Sequence, residues 1–547
     1  MRSSVKDPAS SLTVNAIPGV HVILFGLDMS KTEAKGLLGF AVERTDHTEN
    51  EKYFLKGFKT FKETGGNLPD GVMVSTHEFP VQSFMWGDYT AKPAHKYSYR
   101  FIAMYGKPKN LIEKSSVQID VATFDPNDTS LPQIAFFNRG VAGSQAYAAK
   151  FGDVAPQDVP DNAAWTWLSN GLEEAILNFI GKASGNTTGL RCAFYEFNYS
   201  AVLNGLKKAA DSGADVKIVF DDRNNPTGPF KKNEEAIASA CIDELCKGRT
   251  INPSYIAHNK FMVFLKNGEP KEVWTGSTNI SDGGIFGHAN VGHIVRDPEI
   301  AKQYLNYWEQ LQEDPDAKLL RKWDDDVSID KLPVTGKIGT LFSPRPDLSA
   351  LDWYAELMDT ASGPVFFTAA FGINAKLQDV LMKHKDYLRY ILLEKEASNA
   401  KQNDLPEIKK DPNNRVASGS FLKDKHTRFL LEKLSGLNTH VNYVHTKFMI
   451  IDPLGEDPIL ITGSANFSDA STKNNDENMI ISRGNKDITD IYLGEFMRLF
   501  NHFYARDWIM SKANDDLAAY LTPDDSWIAP YYDSANAKCK QRNYFKK

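Results

Sequence analysis

The chain has 547 residues, enough for roughly three to four domains of about 150 residues each. Apolar residues make up 42% and charged residues 24%, which excludes a largely disordered or collagen-like chain and leaves material for sizeable cores. A formal net charge of −7 excludes a general polyanion binder, so any nucleic-acid role needs a local basic surface. Four cysteines (Cys192, Cys241, Cys246, Cys539) are too few for a disulfide framework, and Cys241 and Cys246 read as ordinary thiols. Residues 1–20 hold no apolar run of signal-peptide length, and no stretch approaches the ~18 apolar residues of a transmembrane helix. The default expectation is a cytoplasmic protein, with export by other routes left open.

Residues 14–125 read as β-rich. Runs at 19–27 and 37–44 are strand-like, 97–105 (YSYRFIAMY) alternates polar with apolar or aromatic residues, and 117–122 alternates again. Short strands at this spacing predict a small all-β sandwich. The run 86–105 (WGDYTAKPAHKYSYRFIAMY), with GFAVER at 39–44 before it, resembles a fibronectin type III-like domain. That resemblance implies a binding or positioning unit without chemistry of its own. Residues 126–160 read as a linker. It carries Arg139, for which a surface position beside a turn is expected and a phosphate contact is the alternative.

From about residue 160 helices and strands alternate. Apolar residues at helical spacing predict a helix over 165–182, and 190–197, 201–210 and 216–220 predict a strand, a helix and a strand. A second such unit lies at 365–370, 376–383 and 390–393. Strand–helix–strand order predicts parallel βαβ units, hence an α/β fold. Pro315, then Pro344 and Pro346, mark a boundary, dividing the region into halves at 161–340 and 341–510 with a tail at 511–547. Asp221-Asp222 ends a strand and reads as a turn, with a metal site as the alternative.

The strongest signal is an internal repeat. HNKFMVFLKNGEPKEVWTGSTNISD at 258–282 and HTKFMIIDPLGEDPILITGSANFSD at 445–469 align without a gap at an offset of 187, with 12 of 25 positions identical. In a strand, residues i and i+2 share a face, so His258 projects with Lys260 and His445 with Lys447. The apolar runs that follow suit buried strands, and turns at Gly268 and Gly455 return the chain to Ser277 and Asn279, or Ser464 and Asn466. Each half thus offers imidazole, ammonium, hydroxyl and amide to one spot. Two such sets suit a phosphoryl group: lysines, amides and hydroxyls hold its charge, one histidine attacks phosphorus and the other protonates the leaving oxygen. No metal or cofactor is needed for that division of labour. His288 and His293 lie near the first motif without a ligand set.

The HxK(x)4D and GSxN pattern resembles the phospholipase D superfamily over about residues 160–510. His445-Thr446-Lys447-Phe448-Met449-Ile450-Ile451-Asp452 carries the whole first element, whereas the motif after His258 has Leu265 where the aspartate belongs. The resemblance implies two α/β halves forming one pseudo-twofold catalytic unit behind the β-sandwich. It implies that His258 is the nucleophile and His445 the general acid, that Lys260, Lys447, Asn279 and Asn466 bind phosphate oxygens, and that Ser277 and Ser464 support them. It also implies a histidine-orienting acid downstream of GSxN: Glu477, which is 32 residues after His445, with Asn290 at the same distance after His258. An amide stabilises imidazolium less than a carboxylate does, which fits His445 charged at rest and His258 neutral.

For the substrate, the two-motif architecture and aromatic richness point to phospholipid at a membrane surface, hydrolysed or transferred to an alcohol. A nuclease with the same chemistry is the alternative, supported by 14 Lys/Arg against 9 Asp/Glu in 371–450 and by the basic end KCKQRNYFKK at 538–547. A non-catalytic phosphate- or membrane-binding scaffold is a third reading.

Overall fold

A computed structural model describes the chain except residues 141–143, 153, 252–254, 396–404, 425, 439–440 and 512–518. At the amino end, β1 (Ser3–Lys6), β2 (Thr13–Pro18), β3 (Ile23–Asp28), β4 (Gly39–Asp46), β5 (Glu51–Phe54), β6 (Met85–Asp88), β7 (Lys96–Lys107) and β8 (Asn110–Ala122) form two antiparallel four-stranded sheets. Their orders are β1-β2-β3-β6 and β8-β7-β4-β5. Alternating side chains from both sheets, among them Val14, Phe25, Phe40, Tyr99 and Ile119, share one core, as a sandwich requires. The strand expected at 19–27 begins later, because Pro18 and Gly19 turn the chain and the Gly19 amide donates to the Val22 carbonyl (2.7 Å).

The first half comprises β9 (Gln133–Phe137), α1 (Ala163–Ser169), α2 (Leu172–Gly181), β10 (Thr188–Phe194), α3 (Ser200–Asp211), β11 (Asp215–Asp221), β12 (Cys246–Arg249), β13 (Lys260–Lys266), β14 (Glu269–Gly276), β15 (Val291–Val295) and α4 (Pro298–Gln312). The second comprises β16 (Ile338–Ser343), β17 (Val365–Ala369), α5 (Ala375–Met382), β18 (Arg389–Leu393), β19 (Asn414–Ser418), β20 (Phe448–Ile451), β21 (Ile459–Gly463) and β22 (Glu477–Arg483). Both parallel units form as the apolar runs predict, β10 beside β11 and β17 beside β18. The sheet orders, β9-β15-β14-β13-β10-β11-β12 and β16-β22-β21-β20-β17-β18-β19, are the same permutation, so the repeat extends from 25 residues to two whole sheets.

Three expectations need correction. The segment expected as a linker contains β9, which pairs with β15 and forms an edge of the first sheet. The helix expected over 165–182 is two helices, broken where Asn170 and Gly171 take positive φ (51° and 92°). Described residues of the expected tail are packed: Trp527, Ile528 and Tyr531 enter the sandwich core, and a helix α7 (Ala537–Phe545) lies on β3 so closely that a Cβ at Gly26 would fall 1.8 Å from the Phe545 carbonyl oxygen. Between β22 and that segment runs α6 (Lys486–Ser511), whose buried Ile491, Leu493, Phe496 and Met497 share one core with residues of the sandwich and both halves. Among the described residues no helix is long and apolar enough to cross a membrane.

Candidate active site

The two motifs meet through short backbone bridges across the halves. Ala257 pairs with Asp476, and Ala289 with Val444. The His258 amide donates to the Asp476 carbonyl (3.0 Å), and the His445 amide to the Ala289 carbonyl (3.0 Å). Each candidate histidine is therefore set beside the orienting residue of the opposite half. The glycine in each Thr-Gly-Ser is required by close packing: a Cβ on Gly276 would lie 2.3 Å from the Val291 oxygen, and one on Gly463 2.1 Å from the Asn478 oxygen. Those approaches seat Ser277 and Ser464 on the floor of the site, with zero exposure.

This crossing corrects the expected pairing. Glu477 faces His258, with both carboxylate oxygens 2.9 Å from Nδ1, and accepts from Ser464 Oγ (2.7 Å). Asn290 faces His445, its Oδ1 lying 3.0 Å from Nδ1, and accepts from Ser277 Oγ (2.8 Å). The carboxylate thus belongs to His258 and the amide to His445, the reverse of the linear reading. The expectation of a resting charge on His445 falls with it. Burial lowers His258 to about 4 despite Glu477, and burial with the Lys447 charge holds His445 well below the ordinary imidazole range.

Lys260 and Lys447 are both buried, and each ammonium donates to the carbonyl of its own histidine, at 2.5 and 2.6 Å. Burial lowers Lys260 to about 8, with Glu477, Glu196 and Asp221 opposing. Burial and the Lys260 charge lower Lys447 well below its usual range. Asn279 and Asn466 each keep a buried Oδ1 without a hydrogen-bond partner among the described residues. Amide oxygen and nitrogen are assigned from their surroundings. A phosphate oxygen needs a donor, which each of these side chains offers through its amide NH2 group. His258, His445, Lys260, Lys447, Ser277 and Ser464, with Glu477 and Asn290, therefore form one buried polar centre across the halves.

Three neighbours were not singled out as site residues from sequence. Tyr195, just past β10, has its ring 5.0 Å from that of His258 and lies under the Lys260 ammonium (5.2 Å). His288 stacks on His445, ring centres 4.5 Å apart at 26°. Phe371, 61% exposed, meets His445 edge-on at 6.3 Å. None lies within the aligned repeat; the strand-end position of Tyr195 and the closeness of His288 to the first motif were the available signals. Other residues serve structure. Arg139 stacks on Trp167 at 4.5 Å and donates to its carbonyl (3.0 Å). Asp221 accepts from the Ala257 amide (2.9 Å) and pairs with Arg223, which fixes the approach to His258. His293 is fully buried against Tyr492 (3.0 Å). All four cysteines are free thiols.

Residues 176–312 and 391–500 match the family described as cardiolipin synthase, PLD-like domain. Each half of this chain thus contains a segment that matches the PLD-like domain. That match supports chemistry of the phosphodiesterase type. No curated protein matches the chain significantly. Among solved structures, phosphatidylserine synthase from Haemophilus influenzae is similar at 12% identity over 65% of this chain and 94% of its own, with a TM-score of 0.44. Nuc from Salmonella typhimurium, a phospholipase D family member, is 24% identical over 25% of this chain and 84% of its own, with a TM-score of 0.22. Polyphosphate kinase from Porphyromonas gingivalis is 12% identical over 56% of this chain, with a TM-score of 0.38, and this chain spans 42% of that protein's length.

Proposed function

We propose that this protein is a metal-independent phosphodiesterase of the phospholipase D type that acts on phospholipid through a covalent phosphohistidine. The observation that carries the reading is the crossed pair of half-sites, His258–Glu477–Ser464 and His445–Asn290–Ser277, with two buried lysines beside them.

With its Nδ1 proton held by Glu477, His258 directs the Nε2 lone pair outward. Attack on phosphorus forms an N–P bond while the P–O bond to the headgroup alcohol breaks, and Glu477 balances the imidazolium charge that results. His445 gives its proton to the departing oxygen. His445, kept neutral in the free protein by burial and the Lys447 charge, takes up that proton on Nε2 from solvent when the phosphodiester's negative charge enters the site. Water or an alcohol then attacks phosphorus, His445 takes its proton, and the N–P bond breaks. Lys260, Lys447 and the amide NH2 groups of Asn279 and Asn466 hold the oxygens on which charge grows.

Lipid is favoured over nucleic acid by the surroundings. Exposed Phe371 stands beside His445, and exposed Leu431 and Leu434 lie in the segment leading into it. Part of the basic excess in 371–450 is committed: of its 14 Lys/Arg, Lys376, Lys383, Lys385, Arg389 and Lys410 meet carboxylates, and Arg428 is buried. Part of that stretch lies outside the described residues. The fibronectin type III-like reading of the sandwich stands as part of this proposal, supported by its strand order.

The deciding experiment compares phosphatidylcholine vesicles with ethanol, single-stranded DNA and double-stranded DNA, all in EDTA. Choline release with phosphatidylethanol formation, lost in His258→Ala, is expected. DNA cleavage alone would move the protein to the nuclease reading. Vesicle or phosphate binding that survives His258→Ala, without turnover by the parent, would leave the scaffold reading.

A further inference from the structure

Asn290 is fully buried and makes four side-chain hydrogen bonds, as many as an amide can form. Its Nδ2 donates to the Gly284 carbonyl and to His288 Nδ1, both at 2.7 Å. Its Oδ1 accepts from Ser277 Oγ at 2.8 Å and faces His445 Nδ1 at 3.0 Å. A carbonyl only accepts, so the amide nitrogen must lie on the Gly284 side and the oxygen on the His445 side. His445 then carries its proton on Nδ1, and His288 must leave Nδ1 bare and carry its proton on Nε2. Burial, which lowers His288 to about 3, agrees with a neutral ring that accepts. The turn that brings the Gly284 carbonyl and His288 to the same amide is a π-helical one, Gly283–Gly287, a geometry frequent at functional sites.

The other half has no such requirement. Glu477 presents oxygen on both edges, so no choice of orientation arises at His258. An amide can turn over; turned, it would offer N–H to His445 Nδ1 and force the proton to Nε2, where the acceptor end is needed when water is deprotonated.

We propose that His288 is a positioning residue for His445: by accepting from the Asn290 amide alongside the Gly284 carbonyl, it helps hold the amide oxygen on Nδ1 of His445 and so favours the tautomer whose Nε2 faces the phosphodiester. Its kinetic consequence rests on the two-histidine reading above, whereas its tautomeric consequence does not. Loss of the acceptor leaves a buried N–H unpaired and loosens the amide.

The test uses the full chain labelled with 15N-histidine, in which long-range 1H–15N spectra report tautomers. In the unsubstituted protein, His288 should be the Nε2–H form and His445 the Nδ1–H form; any other assignment overturns the proposal without a variant being made. Two substitutions then separate the acceptor from the ring. His288→Asn keeps an oxygen near the Nδ1 position and loses the stack, and His288→Phe does the reverse. Choline release from phosphatidylcholine vesicles should fall about tenfold or more in kcat, with little change in KM, for His288→Phe, and much less for His288→Asn. His445 should become a tautomer mixture only in His288→Phe. The opposite ranking would show that stacking is what matters. Absence of turnover in the parent protein would remove the functional reading while the tautomers still decide the lock.

Discussion

The two α/β halves repeat one another in strand order and in the His, Lys, Ser and Asn of each motif, and two of the places where they differ fall at positions tied to the motifs. Glu477 stands where the first half has Asn290, and Asp452 stands where it has Leu265. The first difference touches the reacting groups: the residue on each histidine comes from the opposite half, so an acid in the second half charges the environment of the first. The second difference lies outside the site. Leu265 is inside β13 and packs among Phe261, Tyr304 and Trp308. Asp452 follows the end of β20, takes φ of 45° and accepts from the Tyr544 hydroxyl (3.0 Å). Equivalent sequence positions have thus diverged once for chemistry and once for packing.

Making the halves alike at the first place should have the largest effect. Glu477→Gln turns the His258 environment into the amide type and removes the charge that balances its imidazolium. We expect kcat to fall about a hundredfold, within the usual span of an acid–base contribution. The reciprocal Asn290→Asp places a carboxylate on His445 and should raise its pKa, moving the pH dependence of kcat upward. If Glu477→Gln and Asn290→Asp have equal and small effects, the asymmetry has no role in the reaction.

The pH profile sharpens the same contrast with a smaller effect. His258 is needed neutral, and its value of about 4 places loss of activity only as pH falls through that region. Lys260 is needed charged, and its value of about 8 places an alkaline limb of kcat/KM there. The Lys260 shift also affects stability. Between about 8 and its ordinary 10.5 the unfolded chain holds a proton that the native protein has released, so this group's contribution to stability rises with pH across that window. Glu477 raises both His258 and Lys260, so Glu477→Gln should move both limbs to lower pH. A profile from pH 3 to 10 in the two proteins checks this; an alkaline limb that stays fixed would detach Lys260 from it.

How much of this was legible depends on whether a feature is local. The buried motif strands and both parallel units follow from apolar runs, and the repeated His-x-Lys and Gly-Ser-x-Asn name the site residues. The crossed pairing was not legible, because a repeat says which residues are equivalent and not which half each one faces. It takes the bridge of Ala257 to Asp476, 219 residues away between His258 and Glu477, to reveal it. β9 was hidden for a similar reason: five residues after Pro132 carry little pattern, and their partner is Val291–Val295. His288 was visible but looked idle, since its use is to hold Asn290 and not to bind a ligand.

The smallest expected effect concerns the motif aspartate. Asp452 begins the turn that leaves β20, whereas the first half continues its strand to Lys266 and turns at Asn267 (φ 54°). That extension of the strand is why leucine is tolerated at 265: there it sits within a strand, in an apolar cluster. At 452 leucine would sit at positive φ and lose the Tyr544 contact that ties α7 to the second half. Asp452→Leu should therefore cost about 1–2 kcal/mol, from the lost hydrogen bond and the left-handed backbone, and leave kcat near that of the parent. Asp452→Asn keeps an acceptor and tolerates positive φ, so it should melt close to the parent protein. Thermal melts with choline release on the same samples separate the two outcomes. A large drop in kcat with an unchanged melt would return the aspartate to the chemistry and undo the division between the two differences.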